Sequence, residues 1–187
     1  MPKREVASFS VEHIQVLDEN GKLDPELDPK MSEEDAVGLY RWMKIGRIAD
    51  ERMLALQRQG RMGTFPPCIG QEAAHCAPTM LLREDDWFVG AFREAAARWM
   101  RGEPLSNLLL MYNGWEEGNY SEKSPRTLPV YVIIASQMLH ATGLAHAEKY
   151  KGTDNVALCF LGDGGASEGD YHEALNFSAT WKTPVVF

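Results

Sequence analysis

The clearest periodicity in the chain begins just after residue 31. Val37, Tyr40, Met43, Ile45, Ile48, Met53 and Leu56 recur at roughly helical spacing. Ser32 stands where a cap belongs, and Glu33, Glu34 and Asp35 complement the positive end of a helix; Gly60 supplies the stop. A long helix is therefore expected from about residue 32 to the late fifties. Residues 1–31 carry no sustained pattern and are rich in Asp, Glu, Pro and Lys, which reads as an irregular N-terminal arm. Within the arm, Ile14–Leu17 has the apolar content of a short strand, and Glu19-Asn20-Gly21-Lys22 is a turn signal.

Beyond residue 60 the pattern alternates between helical and strand-like stretches. A second helix is expected from near Gly70 through Ala77, bent or interrupted by Pro78. Asp85-Asp86 marks a turn and Trp87-Phe88-Val89 a short strand, followed by helices over about 93–100 and 105–112. Residues 113–129 are polar and rich in Gly, Asn, Ser and Pro, and read as a long loop. A helix over about 137–150 follows, and its small-residue run at 141–145 predicts close packing against a neighbour. Residues 155–161 form an apolar run expected to be a buried strand; a turn at Gly162, a helix over about 168–181 and a strand start at 184–187 complete a βαβ unit. The resulting class is α/β with a mostly parallel sheet, divided as an arm at 1–31 and one domain at 32–187.

Composition narrows the function classes. At 187 residues, with 44% hydrophobic and 25% charged residues, the chain can bury a sizeable core. A formal net charge of −8 argues against a nucleic-acid or anionic-membrane binder, both of which need a basic face. No apolar run has the length of a membrane span, and the N-terminus lacks the features of a signal or transit peptide, so a cytoplasmic location is expected. Cys68, Cys76 and Cys159 are odd in number and widely spaced, which fits small core residues in a reducing compartment better than a disulfide framework or a Zn²⁺ site.

The richest chemical signal is Leu161-Gly162-Asp163-Gly164-Gly165-Ala166-Ser167-Glu168-Gly169-Asp170, directly after the expected buried strand. Ligands bind off the carboxyl ends of strands in open parallel sheets. Glycines there let the backbone turn sharply and present N–H groups to a phosphate. Asp163 between them can hold a hard divalent cation that bridges to that phosphate. An ordinary strand-to-helix turn with Asp as a cap is the alternative reading of the same residues.

Several segments in register carry a more specific signal. Gly162-Asp163-Gly164, followed by Glu168-Gly169 and the helix beginning Tyr171-His172-Glu173, resembles the thiamine-diphosphate motif, which closes with Asn-Asn after the next strand. Gly70-Gln71-Glu72-Ala73 is similar to the Gly-Gln-Glu-Ala box of the 2-oxo-acid dehydrogenase branch. Phe92-Arg93 stands where that branch has Tyr-Arg, and Ile133-Ile134-Ala135-Ser136-Gln137 resembles its segment ending Gly-Ala-Gln. The chain thus resembles, over roughly 33–187, the N-terminal half of the alpha subunit of the thiamine-diphosphate-dependent decarboxylating component.

That resemblance implies a three-layer diphosphate-binding α/β domain, incomplete at its C-terminus. It implies thiamine diphosphate and Mg²⁺ as cofactors, with Asp163 as side-chain metal ligand and Gly164 and Gly165 as backbone contacts to the diphosphate. Arg93 would pair with the diphosphate, while Phe92 lacks the hydroxyl of the usual Tyr. Val132 and Ile134 would grip the aminopyrimidine ring through their main chain. Phe65-Pro66-Pro67 occupies the stretch where the branch often has His, so that role does not transfer.

No acid/base residue is expected on this chain, because the ring-activating carboxylate would come from a beta subunit in an α2β2 heterotetramer. The implied reaction is oxidative decarboxylation of a 2-oxo acid, pyruvate first, with transfer of the acyl unit to a lipoyl-bearing acyltransferase component. A branched-chain 2-oxo acid, a transketolase-like activity and a non-catalytic assembly module are the alternatives. His75, His140, His146 and His172 are expected to be structural. Trp87, Trp99, Trp115 and Trp181 are expected as core or interface anchors, and Glu116-Glu117, Glu168 and Asp170 as solvated charges.

Overall fold

The computed structural model describes residues 3–187, and these separate into two units, residues 3–36 and 37–187. In the first unit the turn at 18–22 forms as its residues demand. Asp18 Oδ1 accepts the N–H groups of Asn20 and Lys22 at 2.9 and 2.7 Å, and Gly21 takes a positive φ of 76°. The strand expected at 14–17 reduces to one antiparallel bridge, Leu17 with Leu23, because no further partner lies alongside it. Ser32 caps as its position predicts: its Oγ accepts the N–H of Asp35 at 3.1 Å and donates to Asp35 Oδ2 at 2.7 Å.

Six helices and three strands follow in the order α1 (Glu33–Arg58), α2 (Glu72–Met80), β1 (Trp87–Val89), α3 (Ala95–Met100), α4 (Leu105–Tyr112), α5 (Ser136–Lys151), β2 (Ala157–Cys159), α6 (Gly169–Trp181) and β3 (Val185–Val186). The strands form one parallel sheet in the order β1-β2-β3, with Trp87 beside Ala157, Val89 beside Cys159 and Ala157 beside Val185. The α/β class with a parallel sheet is as the sequence predicts.

Four boundaries differ, each for a local reason. Pro78 does not interrupt α2 but sits in its last turn, where few backbone bonds remain to be lost; the helix then tightens into bonds from Leu81 N–H to Pro78 O and Leu82 N–H to Thr79 O. The helix expected from 93 starts at Ala95, which leaves Phe92 and Arg93 in the preceding bend. The apolar run 155–161 pairs as a ladder only over 157–159, since its neighbours are equally short. Residues 113–129 are more ordered than a loop. They contain a 3-10 turn at Glu116–Asn119 and a parallel bridge from Thr127 to Phe88 on the free side of β1. Gly118 makes that turn possible, for a Cβ there would lie 2.4 Å from both Asn107 O and Met111 N on α4.

The core of the second unit lies between α5 and the sheet. Val89, Ala157 and Cys159 meet Met138, Ala141 and Ala145, all fully or nearly fully buried. The small residues of α5 serve close approach as expected: Thr142 Oγ1 lies 2.9 Å from Ser178 Oγ on α6, beside buried Ala174. All three cysteines are free and buried. Of the tryptophans expected as core or interface anchors, Trp99 is buried, while Trp115 and Trp181 stand exposed.

One carboxylate ties this core to its edges. Glu148 on α5, buried, accepts from Trp87 Nε1 (3.1 Å), Arg126 Nη1 (3.0 Å), Thr153 Oγ1 (2.7 Å) and Asn155 Nδ2 (3.1 Å). The Thr153 and Trp87 hydrogen bonds come first among the causes that hold its carboxyl far below the usual range.

Candidate functional site

Three segments meet at the carboxyl-terminal edge of the sheet. Gly90 to Arg93 leave the end of β1, and Phe160 to Asp163 leave the end of β2, which lies directly beside it in parallel register. Phe160 N–H donates to Val89 O at 3.0 Å, so the pairing persists to the point where the two segments diverge. The third segment, 131–135, joins through Tyr131 N–H, which donates to Ala91 O at 3.1 Å. It also packs on the glycine turn: a Cβ on Gly165 would lie 3.5 Å from Ile134 Cγ2 and 3.7 Å from Ala135 Cβ. Phe92, Arg93, Val132, Ile134, Asp163, Gly164 and Gly165 thus fall on the three segments that share this edge.

The glycine turn is a short 3-10 helix, Asp163–Ser167, closed by Gly165 N–H to Gly162 O at 3.0 Å, rather than a bare bend. Asp163 and Gly164 are exposed, and nothing lies within 4 Å of where a Gly164 Cβ would stand. Gly165 is buried against the third segment. A carboxylate therefore projects from a turn whose outer face is open.

Arg93 is held by its neighbours. Nη1 donates to Pro67 O at 2.9 Å, and the guanidinium carbon lies 5.3 Å from the centre of the Phe92 ring. Phe92 is fixed from behind, its carbonyl accepting the Tyr112 hydroxyl at 3.0 Å. Burial pushes the Tyr112 hydroxyl well above the ordinary tyrosine range. Pro67, in the stretch where the resembled branch has His, thus contributes a carbonyl to the orientation of Arg93.

In the third segment the side chains of Val132, Ile133 and Ile134 are exposed, at 75%, 77% and 50%. Three adjacent apolar side chains thus stand in the open beside the glycine turn. Ala135 follows in the left-handed region at φ 68°, a conformation that costs an L residue roughly 1–2 kcal/mol. Its neighbours hold it there: Ser136 Oγ donates to Ile133 O at 2.8 Å, and Gln137 Nε2 reaches Phe160 O at 2.8 Å. Gln137 therefore locks the start of α5 to the end of β2. Its place in the segment resembling Gly-Ala-Gln was the available signal for it.

The Gly70-Gln71-Glu72-Ala73 box opens α2 and is anchored on α1. Glu72 Oε1 accepts Arg47 Nε and its Oε2 accepts Gly70 N–H at 3.0 Å. The Arg47 hydrogen bond holds the Glu72 carboxyl below its ordinary value. Buried Asp50 accepts the N–H of Cys68, and burial raises its carboxyl above the ordinary range. His75 is buried behind the box, and burial pushes its imidazole down to about 4. No group of three or more His, Cys, Asp and Glu side chains able to hold a metal occurs among the described residues. A divalent ion at Asp163 would need further oxygen ligands besides this carboxylate. No helix among the described residues is long and apolar enough to cross a membrane.

A parallel sheet with a glycine-flanked carboxylate at its carboxyl edge, an arginine on the neighbouring strand end and an anchored Gly-Gln-Glu-Ala box defines the class, and the chain belongs to the family described as Dehydrogenase E1 component, whose model matches residues 40–187. Members of this family depend on thiamine diphosphate. Among curated proteins the chain is similar to the pyruvate dehydrogenase E1 component subunit alpha of Staphylococcus aureus strain Mu50, at 37% identity over 177 residues, 94% of this chain and 48% of that protein. The subunits of the same name from Mycoplasma pneumoniae (40% over 174 residues, 92% of this chain and 49% of that protein) and Acholeplasma laidlawii (39% over 170, 90% and 49%) are similar too. The chain spans about half the length of these curated relatives.

Proposed function

We propose that this chain is the diphosphate-binding part of an alpha subunit that, with a beta subunit, decarboxylates pyruvate oxidatively and passes the acyl unit to a lipoyl-bearing acyltransferase component. The observation that carries the reading is the convergence of the 90–93, 131–135 and 160–165 segments on one sheet edge. It is supported by the relatives named for pyruvate dehydrogenase.

The residues present fit such a cofactor. The open face at Gly164 leaves room for a phosphate against the backbone, and the exposed Asp163 carboxylate is of the donor type Mg²⁺ prefers. Arg93 would pair with diphosphate oxygens, and the main chain at Val132 and Ile134 would hold the aminopyrimidine while their exposed apolar side chains exclude water around it. When bound, thiamine diphosphate would supply a nucleophilic carbon and an electron sink for the decarboxylation. This chain's part is binding, orientation and desolvation, and the carboxylate that activates the ring would come from the beta subunit. The α2β2 assembly and a cytoplasmic location belong to the same proposal.

The test is calorimetric titration of the full-length subunit, assembled with its beta partner, with thiamine diphosphate and Mg²⁺. Asp163→Ala is expected to abolish Mg²⁺-dependent binding and leave the circular-dichroism melt unchanged. Near-normal affinity would remove Asp163 from the site.

A further inference from the structure

Glu94 stands at the N-cap position of α3, yet its side chain makes no forward capping bond. It turns back instead. Oε2 accepts the N–H of Arg93 at 3.1 Å, and the carboxylate also faces the N–H of Ala91 and its own N–H. It lies close under the strand end as well, since a Cβ on Gly90 would come within 3.4 Å of Oε2. A single carboxylate therefore holds the Arg93 N–H and lies against the backbone of the bend that carries Phe92 and Arg93. This bend follows the end of β1 at Val89. Arg98, Cys159 and Tyr112 are its charged or titratable neighbours, and burial raises its carboxyl above the ordinary range.

A carboxylate beside a diphosphate site is electrostatically adverse unless its geometry is needed. The other contacts to the bend (Tyr131 to Ala91 O, Tyr112 to Phe92 O, Arg93 to Pro67 O) use its carbonyls and a side chain and leave its N–H groups to Glu94. We infer that Glu94 is a positioning residue for cofactor binding: its acceptor oxygens, rather than its charge, fix the Ala91-Phe92-Arg93 bend and so aim the Arg93 guanidinium at the diphosphate. The inference rests on the cofactor site proposed above.

Acceptor reach and charge are separable by substitution. Glu94→Gln keeps an acceptor at the same distance without the charge. Glu94→Asp keeps the charge but withdraws it by one methylene from the Arg93 N–H. Glu94→Ala removes both. The measurement is the Kd for thiamine diphosphate with saturating Mg²⁺, by calorimetry on the full-length subunit assembled with its beta partner, alongside thermal melts of the cofactor-free protein. We expect Glu94→Gln to bind within about three-fold of wild type, and Glu94→Asp and Glu94→Ala to bind at least about ten-fold more weakly, with melts that do not rank the variants in that order. Equal binding by all variants would overturn the inference. So would a Gln variant as weak as Ala, or an affinity that follows the melting temperature. If Glu94→Ala does not fold, the Gln and Asp pair decides alone. Failure of the wild-type assembly to bind thiamine diphosphate would instead overturn the cofactor reading, and this inference with it.

Discussion

Arg93 and Phe92 are adjacent, on the same bend, and chemically opposite in what they offer a diphosphate. The Arg93 guanidinium spends one N–H on Pro67 O and rests over the Phe92 ring, so it is oriented before any ligand arrives. Phe92 has no polar group to lend, and its ring serves as the platform. A charge-assisted hydrogen bond of this kind contributes about 1.5–3 kcal/mol, and a fork fixed in advance loses little entropy on binding. Arg93→Ala is therefore expected to weaken thiamine-diphosphate binding by more than ten-fold, and by more than Phe92→Ala does. Comparing the two dissociation constants checks this, and equal or reversed losses would show that the bend does not face the diphosphate. Residues of this type are legible in sequence when their signal is local, as with Asp163 between glycines directly after an apolar run. The boxes holding Glu72 and Gln137 mark those residues but not what they bind, and Asp50 is not marked at all. The partners of Glu72, Asp50 and Gln137, namely Arg47, Cys68 and Phe160, lie 25, 18 and 23 residues away, and nothing beside a buried carboxylate or amide announces a partner that distant.

The helices are recoverable from periodicity and their ends from caps and glycines, as Ser32 and Gly60 show. The strands are less so, because a strand's length is set by its partners. The run 155–161 has the composition of a long strand, but only three residues find neighbours. Conversely, polar residues around Thr127 join β1 because Phe88 has a free edge to offer. What locks these elements together is Glu148, whose donors come from β1, the 113–129 segment and the α5–β2 connection. Removing that carboxylate strands several donors at once, and breaking a buried ion pair by deleting one partner costs about 3–5 kcal/mol. Glu148→Ala is expected to lower stability by about 3 kcal/mol at neutral pH. A carboxyl depressed in the folded state stabilises fully above its unfolded value of roughly 4.3, and this contribution fades as pH falls below that. The gap between wild type and variant should therefore narrow on acidification below about pH 4. Denaturant unfolding at pH 7 and pH 3 measures both numbers, and a gap that stays constant would deny Glu148 its ionised role.

In the unit 37–187 several of the exposed apolar residues lie near the sheet. Val132, Ile133 and Ile134 crowd the carboxyl edge of the sheet, Leu175, Phe177 and Trp181 lie on α6, and Val186 stands on β3, which is paired on one side only. An open strand edge and adjacent apolar surface favour pairing with another chain. A polypeptide of residues 1–187 made alone is therefore expected to self-associate in the micromolar range and to bind thiamine diphosphate far more weakly than the full-length assembly. Sedimentation velocity across a concentration series tests the first part and calorimetry the second. A monodisperse monomer with full affinity would contradict both.

The order of the sheet bears on how such a chain is made. The middle strand, β2, lies seventy residues after β1, to which it pairs. Ribosomes extend a chain at about 5–20 residues per second. Phe88 and Val89, fully buried in the finished molecule, must wait several seconds after their own synthesis for the backbone that covers them. The glycine turn leaves the ribosome within moments of β2, so the strand that closes the core also delivers the turn that carries Asp163. A nascent chain stalled before residue 157 would present a bare hydrophobic edge and no ligand site, and that interval is where a chaperone has something to hold.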